Sequence, residues 1–316
     1  MGRHSNFLQL NVLSAFGGTA ASSELHYVVT VSSRRAALAV GILICTAALG
    51  SPVLAAQQAQ VTNAIGMEFV LISPGTMLVG RFQPECPRPQ AAARSDPATD
   101  PRTSWNSDDY RRCAEMVKRD ARPGFTVRIS RSYYIGRHEV TQGQWKRVMG
   151  GNPSIFQGSK VKGDADRHPV DNISWTDTQE FIRKLNAMDW SGRYHLPTEF
   201  EWEYAARAGA MTEPSWDEIR ESAWQSDVDL GSTHPVGGKK PNRWGLYDTL
   251  GNVWEWVADL YNEQLFATAV PPKVASTHVL KGGSFVSDVK NATWSTHAGG
   301  PGSGFDVGFR IVREVR

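Results

Sequence analysis

The stretch Trp244–Asp259, WGLYDTLGNVWEWVAD, decides how this chain folds. Its tryptophans and its tyrosine supply large side chains for burial, while Gly245 and Gly251 let the backbone turn sharply or approach another group closely. Glu255 lies between two of the tryptophans. Because an isolated buried charge is too costly, this carboxylate must be paired, protonated or bound to a cation. The stretch therefore predicts that buried aromatic packing and a functional carboxylate occur in the same segment.

Length and composition limit the class of protein. With 316 residues and 41% hydrophobic content, the chain can bury the core of one large domain or of two small ones. Its 11 tryptophans and 29 glycines predict a loop-rich fold held together by aromatic packing. The formal net charge is only +2, and no long block of like charges is present. We therefore expect no nucleic-acid partner.

The N-terminal region carries a targeting pattern. Within residues 34–55, two arginines precede the apolar run AALAVGILICTAALG, and small residues follow it. This order predicts a cleaved signal peptide and export to the periplasm or the medium, by the Sec or the twin-arginine route. A membrane anchor is the alternative, but the run is short for a span, so we expect no stable anchor after cleavage. Residues 1–33 precede the signal and are interpreted as a mis-assigned or disordered extension.

The cysteines predict one disulfide bond. Cleavage of the signal removes Cys45 and leaves Cys86 and Cys113 in an exported chain, where paired thiols normally oxidise. The bridge would close the Pro-rich insert at residues 81–124, which has little apolar content of its own. The alternative is a pair of metal-binding or catalytic thiolates, although no CxxC motif or adjacent histidine supports it.

Strand patterns open the domain. Residues 63–80 are predicted to form a hairpin, in which GMEFVLIS and TMLVG are the strands and Pro74 and Gly75 form the turn. The segment 123–141 alternates apolar and polar positions and predicts one or two strands that lead into a helix.

Capping boxes predict where three helices begin. The pairs are Thr141 with Gln144, Ser174 with Asp177, and Thr198 with Glu201. The first helix should end at Gly150 and the third at Gly209. From Met211 onward the periodicity is poor, and we expect long irregular loops with short strands. These patterns alone predict an α+β fold.

Ordered motifs then point to a family. LPTEFEWEYAARAG precedes the aromatic stretch, and LKGGSF and GFRIVRE follow it. Together they resemble the catalytic-domain signature of the formylglycine-generating enzymes, also called sulfatase-modifying factors, from about Asn63 to Arg313. The resemblance implies a single domain at residues 63–316 with the family's variant of the C-type lectin fold. That fold has a small twisted antiparallel sheet, flanking helices and much irregular loop.

The resemblance also implies a calcium site. In the matching motif of the family, backbone carbonyls and a glutamate bind calcium, and the positions here are Gly251, Asn252, Val253 and Glu255. Calcium prefers several oxygen ligands of this kind. Two alternatives stay open: Glu255 accepts backbone N–H bonds and ties a loop to the core, or burial raises its pKa and it acts as an acid or base.

The family's copper site is not expected in this chain. Formylglycine-generating enzymes carry two cysteines shortly after the GGS turn, and these bind copper(I), which soft thiolates select. The matching positions are Ser287 and Ala292. Neither side chain can bind copper(I), so the resemblance implies the scaffold more than the named activity.

Polar residues around the same segment are the candidates for catalysis. They are Ser284, Ser287, Asp288, His297 and Arg310, with Asn291 beside them and with Trp256 and Trp294 as walls. His297 could transfer protons near neutral pH, although a lone histidine is more often structural. Asp288 could equally pair with Lys290 or a backbone amide. Arg310 favours a buried hydrogen-bonding fork, with binding of a substrate carboxylate as the second role.

Three functional hypotheses follow. The first is an oxidoreductase-like, periplasmic oxidative-maturation factor that acts on a peptide-like or small-molecule precursor, as the member of this family that matures the siderophore pyoverdine does. The second is a formylglycine-generating oxidase for exported sulfatases. The third is a non-catalytic ligand-binding or assembly module, since lectin-like folds often bind without chemistry. A deep cleft lined by Trp256, Ser284 and His297 would favour catalysis, and a shallow or filled one would favour binding.

Overall fold

A computed structural model describes most of the chain from residue 60 onward. The described residues are 60–80, 124–225, 231–262, 275–287, 292–300 and 302–315, with the helical positions Asp108, Arg111, Arg112 and Glu115. The predicted extension and signal peptide, the predicted disulfide between Cys86 and Cys113, and the site candidates Asp288 and Asn291 lie outside these ranges.

The strands of the described ranges are short. In chain order they are β1 (Gln60–Thr62), β2 (Glu68–Ile72), β3 (Gly75–Val79), β4 (Phe125–Ile129), β5 (Tyr133–Gly136), β6 (Tyr194–His195), β7 (Trp254–Leu260), β8 (His278–Lys281), β9 (Ala298–Gly299), β10 (Val307–Gly308) and β11 (Val312–Glu314). The helices are α1 (Gln142–Met149), α2 (Trp175–Met188), α3 (Glu199–Arg207) and α4 (Trp216–Ser222), with 3₁₀ turns at Gly158–Lys160 and Ala165–Arg167.

These strands form three sheets. The largest has the order β1-β2-β5-β11-β6, and all its neighbours are antiparallel. A second sheet has the order β10-β7-β8-β9 and contains one parallel pair, β10 with β7. The third is the antiparallel pair β3-β4. Mixed helices and small, mainly antiparallel sheets confirm the predicted α+β class.

The predicted helix starts are confirmed. Thr141, Ser174 and Thr198 each accept a hydrogen bond from the backbone N–H three residues on, and the residue at that position returns a side-chain bond to the cap. Helix α1 ends at Gly150 as predicted, whereas α3 ends one residue before Gly209, at Ala208, whose φ is +47°. Capping is local chemistry, which is why sequence locates it well.

Two sequence predictions were wrong. The strands β2 and β3 do not form a hairpin, because both edges of β2 are occupied by β1 and β5, and β3 pairs with β4 instead. The region after Met211 is not wholly irregular, since α4 begins at Ser215. Ser215 and Glu218 form a fourth capping box, which was a readable signal.

The core places the candidate site on strand β7. Alternate residues of β7 face opposite sides of its sheet: Trp256 belongs to the core cluster that contains Phe181 of α2, and Val257 belongs to the one that contains Trp202 of α3. Glu255 therefore faces α3, on the same side as Val257. None of the helices in the described ranges combines the length and apolar composition needed to cross a bilayer.

Candidate functional site

The turn at Gly251 and Asn252, which precedes β7, has a backbone conformation that few residue types adopt. Gly251 has φ +81°, and a Cβ there would lie 1.9 Å from the carbonyl oxygen of Trp224. Asn252 follows with φ +60° and no exposed surface. Its Oδ1 accepts from the N–H of His234 at 2.9 Å, and its Nδ2 donates to Oε2 of Glu139 at 2.8 Å. The turn is thus tied to two other segments by the hydrogen bonds of Asn252.

Glu255 is paired with Arg310. Nε and Nη2 of Arg310 each donate to one carboxylate oxygen of Glu255, both at 2.6 Å, and Nε1 of Trp202 donates to Oε2 at 2.6 Å. Arg310 also donates to the carbonyl of Gly136 at 3.1 Å. Neither charged residue has exposed surface. Of the states that the sequence allowed for Glu255, the ion pair is the one observed.

Further carboxylates surround this pair. Burial, followed by the nearby charges of Asp248 and Glu255, raises the pKa of Glu139 well above its ordinary value. Burial also raises the pKa of Asp248 to about 6, although the Gly237 N–H and Arg310 act in the opposite direction. One buried guanidinium cannot balance three carboxylates, so protonation of this cluster is favoured.

The four residues predicted to bind calcium do not offer their side-chain oxygens to a cation. Both oxygens of Glu255 are bonded to Arg310, and Oδ1 of Asn252 is bonded to His234. The backbone carbonyl of Asn252 accepts from the N–H of Phe285 at 2.9 Å. Within the described residues, no group of three or more His, Cys, Asp and Glu side chains is placed to hold a metal. The side-chain oxygens of this set are thus engaged within the protein, and calcium stays an untested prediction from resemblance.

The positions that match the family's copper ligands lie after β8. Oγ of Ser287 accepts from the N–H of Ser284 at 2.9 Å, and Oγ of Ser284 donates to Oδ2 of Asp306 at 2.7 Å. Ala292 is buried among apolar residues. A hydroxyl and a methyl group do not fit a soft metal such as copper(I).

Gln225 lies beside these serines and was missed by sequence reasoning. A Cβ on Gly283, whose φ is +78°, would lie 3.4 Å from Oγ of Ser287 and 3.7 Å from Nε2 of Gln225. Gln225 is 1% exposed, and within the part of the chain that the structure describes neither its Oε1 nor its Nε2 has a hydrogen-bond partner. A buried amide with both ends unpaired costs about 1–3 kcal/mol per group.

His297 belongs to a different cluster, whose carboxylates lie on α3. Its Nδ1 lies 2.7 Å from Oε1 of Glu199, and its Nε2 lies 3.0 Å from the carbonyl oxygen of Asn262. Nζ of Lys281 lies 3.6 Å from the same Glu199 oxygen and 3.0 Å from Oε2 of Glu203. Burial by itself raises the pKa of Glu199, but Lys281 and His297 bring it below its ordinary value. The cluster keeps Glu199 ionised.

The structure does not bring Trp256 and His297 together. Trp256 lies opposite Leu280, and Leu280 lies opposite Ala298, so these three side chains share one face of the sheet. His297 precedes Ala298 and contacts Glu199 on the opposite face. Trp256 lines a pocket of about 420 Å³ with the stacked rings of Trp175 and His278, whose centroids are 3.8 Å apart. Neither Ser284 nor His297 is among the described residues of that lining. Trp294 is 7% exposed and packs in the core with Trp202.

Sequence reasoning missed the buried ionic residues as well. They include Glu139, Glu199, Glu203, Asp248 and Lys281. Lys281 had a readable signal, because it follows Val279 at the strand spacing of two and therefore faces the same side as that core residue. Gln225 had none, since its surroundings come from distant segments.

A family model agrees with this architecture. The sulfatase-modifying factor enzyme 1-like domain matches residues 55–315, which is most of the chain. The chain belongs to this family. The α+β fold with small antiparallel sheets is the formylglycine-generating-enzyme type of fold, as the resemblance implied.

Individual proteins match this chain over part or all of the fold. The formylglycine-generating enzyme of Streptomyces coelicolor is 34% identical over 168 residues, which is 46% of this chain and 49% of that enzyme. The chain thus spans about half the length of that curated relative. Treponema denticola variable protein 1 superposes with a TM-score of 0.60 at 25% identity, over 82% of this chain and 99% of that one. PvdO from Pseudomonas aeruginosa superposes with a TM-score of 0.59 at 20% identity over the same shares, which shows the fold alone.

Proposed function

We propose that this protein is an exported oxidative-maturation factor that acts on a peptide-like precursor, of the pyoverdine siderophore type, at a site without thiols. Its working location is the periplasm. The site is formed by Ser284, Ser287 and Gln225, in the segment where family members carry their copper-binding cysteines. Family membership supports the scaffold and the reaction class. The choice of a siderophore rests on the resemblance of the signal, the single domain and the Cys-bearing insert.

The observation that carries the proposal is the unpaired amide of Gln225. A side-chain amide offers one acceptor and two donors, which is the complement of a peptide bond. Gln225 is buried beside Ser287, so a bound peptide group would satisfy both of its ends. An apolar substrate would leave them unpaired, at a cost in affinity. The geometry therefore favours a substrate rich in amide bonds.

The variant Gln225→Met tests this role. Methionine has nearly the shape of glutamine and lacks the amide, so it removes two unpaired buried groups. We expect equal or higher thermal stability together with weaker substrate turnover, seen mainly as a raised KM. A structural role for Gln225 predicts the reverse, a loss of stability with unchanged KM.

The matched control is Gln157→Met. Gln157 lies on a different loop and donates to the carbonyl of Ser154 at 2.7 Å. This change removes the same chemical group away from the proposed site, so turnover should stay at the wild-type level. Equal losses of turnover in both variants would remove Gln225 from the proposal.

A formylglycine-generating oxidase is the rival within the family. Relatives at 34% identity bear that name, but Ser287 and Ala292 occupy the positions of the copper ligands. Purified protein incubated with a cysteine-containing sulfatase peptide separates the two functions. Our proposal predicts no aldehyde product, and stoichiometric aldehyde formation would replace it with the rival.

A non-catalytic binding module is the other candidate. It is favoured by the placement of Trp256 and His297 on opposite faces of the sheet, so that the cleft expected for catalysis is not formed by the described residues. This module would bind the peptide precursor and release it unchanged. Mass analysis of the precursor after incubation distinguishes binding from conversion.

A further inference from the structure

A second pocket lies away from the proposed peptide site. Its volume is about 330 Å³, and it opens where β2 begins, where the chain passes from β5 to α1, and beside the loop that contains Gly237 and Tyr247. The described lining consists of Glu68, Arg137, His138, Thr141, Asp166, Arg167, Val236, Gly237 and Tyr247. None of these residues takes part in the Ser284–Ser287–Gln225 site.

Two arginines offer hydrogen-bond donors to this pocket. Nη1 of Arg137 donates to Oε2 of Glu68 at 2.7 Å, and Nη2 lies 3.4 Å from the hydroxyl of Tyr247. The Nε atom of Arg137 is buried and has no partner in the described ranges. Arg167 is exposed, and no hydrogen bond or ion pair of its guanidinium is formed within those ranges. The pocket therefore combines one anchored and one available guanidinium.

His138 forms part of the wall between them. Its ring stacks on Tyr247, with centroids 5.0 Å apart and planes at 28°, and its two nitrogens are unbonded within the described part of the chain. Gly237, with φ +73°, lies so close that a Cβ there would be 2.8 Å from Nε2 of His138. Only glycine permits this close approach without strain. The imidazole edge is thus held at the pocket by its neighbours.

The local charges favour an anion. Burial lowers the pKa of His138 to about 4, Glu68 opposes that shift, and Arg137, Arg310 and Arg167 add to it. Three guanidinium groups and one carboxylate thus act on the imidazole, which stays neutral at pH 7 and can donate one N–H. Of the charged side chains in the lining, Glu68 is paired with Arg137 and Asp166 is paired with Lys146, so the guanidinium of Arg167 is the charge that has no counterion in the described ranges. A concave site with such a positive charge attracts small anions.

We propose that this pocket binds a small oxyanion, whose oxygens lie between the guanidinium groups of Arg137 and Arg167 and accept a hydrogen bond from His138. Planar guanidinium groups match carboxylate and phosphate oxygens. The volume is at the lower end of small-molecule sites, which begin at about 300 Å³, so the ligand is of the size of phosphate or a short carboxylic acid. This site is independent of the proposed maturation activity.

Calorimetric titration of the full chain tests the pocket, with inorganic phosphate in one arm and acetate in the other. We expect saturable binding with one site per chain. Binding of phosphate alone identifies a phosphate site, binding of acetate alone identifies a carboxylate site, and binding of both identifies an oxyanion site without preference. Absence of saturable binding in both arms up to about 10 mM, where the binding free energy is below about 3 kcal/mol, would overturn the proposal.

Arg167→Gln is the decisive variant, because Arg167 is exposed and its replacement should not disturb folding. Losing one charge-assisted contact should weaken anion binding at least about tenfold. Arg243→Gln is the matched control, since Arg243 is also exposed but lies outside the pocket. Binding unchanged in the control supports the pocket. Equal weakening in both variants would show that only net charge matters and would contradict it.

Discussion

Arg310 and Glu255 form a bidentate ion pair without exposed surface, with two nitrogen–oxygen distances of 2.6 Å. Arg183 and Glu180 on α2 form a fork of the same kind, with two distances of 2.7 Å, but at the surface. The geometry of the two pairs is alike and their surroundings differ. This contrast separates the effect of burial from the effect of the hydrogen bonds themselves.

Glu255→Gln should strongly destabilise the fold. The substitution breaks this buried pair and removes the only carboxylate in the described ranges that accepts hydrogen bonds from Arg310, since Glu139 and Asp248 act on it at longer range. Breaking a buried ion pair typically costs about 3–5 kcal/mol. Urea unfolding measures the change in the free energy of unfolding. Glu180→Gln is the control and should have little effect, because solvent screens that pair. Equal effects of the two substitutions would contradict a structural role for the buried fork.

Asp248→Asn should change how stability depends on pH. Burial raises the pKa of Asp248 in the folded state to about 6, above its ordinary value of 3.8. A raised pKa favours the folded state fully below the ordinary value, and this contribution is lost as the pH rises through 6. The Asn variant lacks this loss, so its stability relative to wild type should increase between about pH 4 and 6, by up to about 3 kcal/mol.

The comparison must be made between the variant and wild type at each pH. His138 has a folded-state pKa lowered to about 4, so it makes wild-type stability rise with pH over part of the same range and masks Asp248. The difference between the two proteins removes the His138 contribution. A difference that is flat from pH 4 to 7 would show that Asp248 has an ordinary pKa.

Lys281 and Glu199 should be energetically coupled. Lys281→Met leaves buried carboxylates without their cation and should be strongly destabilising. Adding Glu199→Gln restores the balance of charge, because Glu203 keeps its pairing with Arg207. We expect a coupling of about 0.5–3 kcal/mol in a double-mutant cycle of unfolding free energies. Strict additivity of the two substitutions would contradict the cluster.

Ser215→Ala should destabilise the protein by about 1 kcal/mol, through the loss of the cap of α4. Ser222→Ala, at the last residue of the same helix, is the control for removal of a hydroxyl. The midpoint of thermal unfolding reports the effect. An equal, small change in both variants would mean that the capping box of α4 contributes little.

Sequence predicted the parts of this fold that depend on neighbours in the chain. The helix caps at Thr141, Ser174 and Thr198 are such parts, because their hydrogen bonds span three residues. Strand pairing depends on which edges are free, and the predicted hairpin at residues 63–80 failed for that reason.

The candidate site was predicted only where a motif carried it. The fixed spacing of the family motifs located Glu255 and Ser287, but it could not show that Arg310 forms an ion pair with Glu255. It also could not show that Trp256 and His297 face opposite sides of one sheet, since this depends on the register of β7, β8 and β9. Gln225 reaches the site from a distant loop, and only the folded chain reveals it.

The function proposed for this thiol-free member of the sulfatase-modifying factor family is the maturation of a peptide-like precursor. Deletion of the gene, followed by mass analysis of secreted siderophore, tests this claim most directly, with complementation by wild type and by Gln225→Met. We expect the less oxidised precursor to accumulate in the deletion strain, and wild type, but not the variant, to restore the mature product. A mature product unaltered by the deletion would contradict it.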